Sequence, residues 1–179
     1  MKLVKIENVT PSYSVRETMK NSNQAGEDAF FWVDTYYADV TLNFVSGPVK
    51  FTNVLLYRFA QRMMYQIFNV NFYERDHNQI DVTAFANAII TVDVTEIGYD
   101  ILIEPLYSYP IHYNNIQHTV NDPVLLQTSI LEFNRICGAL FENTLEIIDD
   151  KFEGIDGVQD FFGTIPFSEG FRWAWDDSY

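Results

Sequence analysis

Three features of the sequence predict an α+β fold, a mainly antiparallel β-sheet with two α-helices packed on it and an extended C-terminal arm. The segment from Phe30 to Val45 alternates, with Tyr36, Ala38, Val40, Leu42 and Phe44 on one face and Tyr37, Asp39, Thr41 and Asn43 on the other. That period belongs to a strand with one buried side. Two further stretches repeat their apolar residues at helical spacing, and a third, from Asn87 to Glu104, is rich in Ile, Val and Thr. Strands and helices in separate runs rather than strict alternation point to α+β.

Taken in order, an opening strand is predicted at about residues 2–9, followed by a polar loop through Ala25-Gly26. The long alternating strand is closed by Ser46-Gly47-Pro48. Thr52 or Asn53 then offers the side-chain oxygen that caps a helix running to about Phe68. Its apolar stripe is Leu56, Phe59, Ala60, Met63 and Ile67, and Arg58, Gln61, Arg62, Tyr65 and Gln66 fall opposite. A short strand at Val70–Glu74 and a polar turn at 76–79 follow. Gly98 marks either a hairpin turn or a bulge within 87–104. Pro105, Pro110 and Tyr107, Tyr109 and Tyr113 read as an irregular connection. A second helix is predicted from Asn121 or Asp122, with Pro123 in its first turn, to about Asp149. Leu126, Ile130, Phe133, Cys137, Leu140, Phe141 and Ile148 line one side of it, which makes it the organiser of the core. The resulting division is one domain over residues 1–150 and an acidic, aromatic arm over 151–179.

Charge is distributed unevenly. The formal net charge is −14, and the last 38 residues hold ten acids and two bases, so −8 of it lies there. The same stretch contains Trp173 and Trp175, two of three tryptophans, in the alternating run Phe171, Trp173, Trp175, which ends on Asp176 and Asp177. Between Asp39 and Glu74 there is no acid, while Lys50, Arg58 and Arg62 are basic, the two arginines at i, i+4 on the polar side of a helix. A balance this acidic argues against direct binding to nucleic acid or to an anionic membrane, since phosphate contacts need clustered Lys and Arg. An aromatic content of 16% argues for a folded chain despite the charge.

Chemistry-bearing motifs are weak by comparison. His77, His112 and His118 lack the i, i+4 spacing of a helical metal pair. Asp149, Asp150, Glu153 and Asp156 surround Gly154 and Gly157 in an order that fails the calcium-loop pattern. G-x-S-x-G, G-x-G-x-x-G and P-loop patterns are missing, and Cys137 in an apolar helical setting reads as a small buried hydrophobe. Asn8-Val9-Thr10 matches a glycosylation acceptor, but the N-terminus has no apolar secretory run, so the match reads as chance. The sequence therefore nominates no catalytic residue, metal or cofactor.

Partners should be proteins, in a homo- or hetero-oligomer. Phe171, Trp173 and Trp175 suit insertion as an extended strand into a neighbour, with Asp176 and Asp177 beside them and Arg58 and Arg62 as a receiving basic face. Head-to-tail contacts of that kind generate rings or helical stacks. The expected function is a non-enzymatic structural subunit, a bacteriophage tail, neck or baseplate component, located in a virion or the host cytoplasm. The rival reading is an acidic inhibitor or immunity protein that imitates nucleic acid and blocks a basic partner.

Overall fold

The computed structural model describes residues 2–11, 36–71, 76–81, 86–106 and 110–151. Within them run nine strands, β1 (Val4–Pro11), β2 (Tyr36–Phe44), β3 (Gly47–Leu55), β4 (His77–Asp81), β5 (Ala88–Val94), β6 (Tyr99–Pro105), β7 (Ile111–Tyr113), β8 (Ile116–His118) and β9 (Val124–Thr128), and two helices, α1 (Leu56–Asn71) and α2 (Ile130–Lys151). The fold is α+β with antiparallel pairing throughout the described strands, in two sheets ordered β1-β2-β3-β7-β8 and β4-β5-β6-β9. Of the C-terminal arm, Lys151 ends α2 and residues 152–179 lie outside the described residues.

The alternation of β2 turns out as its sequence dictates, with Tyr36, Ala38, Val40, Leu42 and Phe44 buried. Both helices pack on that face and on each other. The apolar stripe of α1 is buried at Leu56, Phe59, Ala60 and Met63, and Phe59 meets Phe51 of β3 at 4.9 Å between ring centroids. Helix α2 joins the two sheets into one core. Phe133 meets Tyr99 of β6 edge-on at 5.3 Å, and Phe141 meets Tyr57 of α1 at 6.3 Å.

Several boundaries differ from the sequence reading. Residues 52–55 are strand, and α1 starts at Leu56 rather than after Thr52 or Asn53. Asn53 instead occupies a bulge at φ 54°, which offsets Val49 and Phe51 from Val54 and so hides the strand period. Residues 70–71 close α1 rather than opening a strand, and residues 77–79 of the turn expected at 76–79 belong to β4, which pairs with β5. Gly98 closes a hairpin, where Thr95 N–H donates to the Gly98 carbonyl at 2.9 Å.

The second helix begins at Ile130, not at Asn121 or Asp122. Asn121-Asp122-Pro123 imitates a helix start, but Val124, Leu126 and Thr128 point inward alternately and pair with Ile103, Ile101 and Tyr99 as β9. The true cap is Ser129, whose Oγ accepts the Glu132 N–H at 3.1 Å. Ser129-x-x-Glu132 has the capping-box spacing. Here the Glu132 carboxylate reaches outward: Oε2 accepts from the Thr128 hydroxyl at 2.5 Å, and Oε1 accepts from the Val45 N–H at 2.5 Å. One side chain thus ties the start of α2 to the β2–β3 turn in the other sheet.

Candidate interaction surfaces

The residues singled out from sequence fall into two groups. Phe171, Trp173, Trp175, Asp176 and Asp177 lie outside the described residues. Arg58 and Arg62 sit one turn apart on the polar side of α1, Arg58 half-buried and Arg62 exposed, with the Arg58 guanidinium donating to Gln61 Oε1 at 3.3 Å. Tyr65, on the next turn, completes the group. Burial raises its hydroxyl above the usual phenol range, and the charges of Arg62 and Arg58 oppose that rise only in part. Lys50 is not part of this face. It lies on β3 beside the core residues Val49 and Phe51, so the pleat turns it away from the helices to the outer side of the five-stranded sheet.

Sequence reasoning missed a second surface, where hairpin ends from both sheets meet. Among the described residues the most exposed large hydrophobics are Val45, Ile97 and Leu125, at 91%, 85% and 70%. Val45 and Ile97 are the tips of the β2–β3 and β5–β6 hairpins and border a groove of about 440 Å³ floored by Thr128 and Glu132. Leu125 stands on β9, an edge strand, and borders a second groove of about 820 Å³ with Leu102 and Tyr113. The grooves share Ser46, Asp100 and Gln127 and so form one continuous depression. Asp93 and Asp100 face each other across β5 and β6 on its wall, and Asp93 Oδ1 contacts His77 Nδ1. Like charges directly opposite are unfavourable in a sheet. Their placement gives the depression an acidic, apolar-rimmed character.

The groups expected to be inert stand as follows. Cys137 is fully buried, and burial pushes its thiol well above the ordinary range. His118 Nδ1 lies 3.3 Å from Asp122 Oδ2, and His77 is paired with Asp93. The Asn8 amide donates to Asp39 Oδ2 at 2.8 Å. Among the described residues there is no group of three or more His, Cys, Asp or Glu side chains placed to hold a metal ion, and no helix is long and apolar enough to cross a membrane. Compared with known proteins, the chain matches no family model, no curated protein and no solved structure.

Proposed function

We propose that this chain is a non-enzymatic structural subunit of a multi-protein assembly, of the kind that builds the tail, neck or baseplate of a bacteriophage, and that it joins its neighbours through its C-terminal arm. The observation that carries the reading is the acidic depression rimmed by Val45, Ile97 and Leu125, three large apolar side chains left in water beside an edge strand. Scattered exposed hydrophobics need no explanation, whereas a group around one groove marks a contact surface.

Magnitudes decide how much this surface does alone. Complete burial of three such side chains is worth roughly 5 kcal/mol. Association costs about 4–15 kcal/mol in lost freedom before any net affinity appears. The rim therefore needs a second set of anchors. Each indole of Trp173 and Trp175 would bury 150–250 Å², roughly 4–6 kcal/mol at the usual area coefficient. Asp176 and Asp177, just beyond the aromatic positions, would be received by the basic Arg58 and Arg62 and not by this acidic wall.

The test is light scattering on the full chain, on a chain ending at Asp160, and on Trp173→Ala and Asp176→Asn. Full-length protein should associate, the shortened one should not, and Trp173→Ala should weaken association more than Asp176→Asn. A monomeric full-length chain at all concentrations would overturn the reading. Association that collapses with salt and responds equally to both substitutions would favour the charge-based rival, an acidic inhibitor blocking a basic partner.

A further inference from the structure

The outer face of the five-stranded sheet carries a row in strict register, Lys5, Thr41, Lys50, His112 and Gln117, one residue from each strand. Most polar groups on this face are engaged internally. Lys5 pairs with Glu7 at 2.9 Å, Asp39 accepts from Asn8 and from the Asn53 N–H, and the Asn43 amide donates to the Lys2 carbonyl at 2.8 Å. One group is not. Thr41, Lys50, Thr52, His112 and Asn115, together with Pro48, line a recess of about 340 Å³. Among the described residues none of these five polar side chains makes a hydrogen bond or ion pair, and the buried His112 Nδ1 has no partner among them.

The recess is assembled deliberately. Asn114 and Asn115 both have positive φ, 52° and 63°, the geometry of the tight two-residue hairpin that turns β7 into β8. Asn114 is fixed by bonds from its N–H to the Pro48 carbonyl at 3.0 Å and from its amide to the Ser46 carbonyl at 3.2 Å. That leaves Asn115 at the mouth. An ammonium, an imidazole, two hydroxyls and an amide converge, and no carboxylate lines the recess in a chain of net charge −14. A cation and four side chains able to donate, with no carboxylate among them, are what a group rich in acceptor oxygens satisfies.

We infer that this recess binds an oxyanion, with Lys50 supplying charge and Thr41, Thr52, His112 and Asn115 supplying hydrogen bonds. Two sources offer that chemistry, free phosphate and the carboxylates of a second copy. The inference does not depend on the arm and stands or falls separately from the assembly reading.

The experiment is a titration of the isotope-labelled full chain with inorganic phosphate against chloride at equal ionic strength, followed by amide NMR. Saturable shifts at Lys50, Thr52, His112 and Asn115 are expected. Lys50→Met should weaken phosphate by about tenfold, the loss of one charge-assisted hydrogen bond, while Lys5→Met on the same face should leave it unchanged. Thr52→Val, a milder change at an exposed position, gives a second reading should Lys50→Met unfold. Light scattering separates the sources. Self-association that falls both with phosphate and in Lys50→Met assigns the site to a second copy, and association indifferent to both, with the shifts intact, assigns it to the free ion. No saturable shift together with unaltered association in Lys50→Met overturns the inference.

Discussion

At the residue scale, Asp39 does the most for its size. Asn8 and Asn53 each sit in a bulge at φ 54°, on the strands either side of it, and one carboxylate serves both: Oδ2 accepts from the Asn8 amide at 2.8 Å and Oδ1 from the Asn53 N–H at 2.9 Å. Asparagine is the residue that tolerates this backbone region best after glycine. Because the site is partly solvated, Asp39→Ala should cost about 1–2 kcal/mol, the lower part of the range for bonds to a charged acceptor. Asn53→Gly should be close to neutral, and Asn53→Val should cost roughly 1–3 kcal/mol, since a β-branched side chain is strained at positive φ. Urea unfolding of the three variants checks this. If valine is tolerated as well as glycine, the bulge relaxes and the clamp holds nothing in place.

At the element scale, the two hairpins that end at the depression depend on glycine for different reasons. A Cβ on Gly98, at φ 157°, would stand 2.2 Å from the Thr128 carbonyl oxygen of β9, whereas one on Gly47, at φ 142°, would meet the side chain of Asn114 at 1.6 Å. A side chain swings aside at the cost of its bond to Ser46, but a strand backbone does not. Gly98→Ala should therefore cost about 2–4 kcal/mol and more than Gly47→Ala in denaturant unfolding; the reverse order would show that β9 yields more easily than the β7–β8 turn. Legibility in the sequence follows the same physics. β2 and α1 were readable because one buried face imposes one period on Tyr36–Phe44 and on Leu56–Met63. β3 was hidden by the Asn53 bulge, β9 by the helix-like Asn121-Asp122-Pro123, and β7–β8 by strands of three residues, too short for any period. The Arg58–Arg62 pair was readable from its i, i+4 spacing alone. Lys50 was not separable from it, because which side of a sheet a residue faces depends on where the strand begins. The oxyanion recess draws on positions 41, 48, 50, 52, 112 and 115, which the β2–β3 and β3–β7 pairings bring together.

At the scale of the whole molecule, two sheets and two helices share one core, so a change at its centre is felt as global stability. Tyr99, Phe133 and Cys137 are at that centre. Burial raises the Tyr99 hydroxyl from its ordinary 10.0 to about 12 and carries the Cys137 thiol well above its ordinary 9.0, while Tyr36 is raised in the same sense. In each case the folded state holds a proton that the unfolded chain releases earlier. The stabilisation is therefore fully present below pH 9, declines as pH rises past 9.0 for the thiol and 10.0 for the phenol, and for Tyr99 is gone only beyond about 12. At pH 10.5 the two groups together should remove roughly 2–3 kcal/mol relative to pH 7.5. Tyr99→Phe also deletes a buried hydroxyl with no partner among the described residues, so it should be neutral or stabilising at pH 7.5 and should flatten the alkaline decline. Cys137→Ala leaves a small cavity and lowers stability near neutral pH, an offset that shrinks as pH rises because the variant has no thiol to titrate, so its informative quantity is the slope with pH and not the offset. Denaturant unfolding of the parent chain, both variants and the double variant across that range measures those slopes. An equally steep decline in the double variant would place the alkaline sensitivity outside this centre, with Tyr36 the next group to examine.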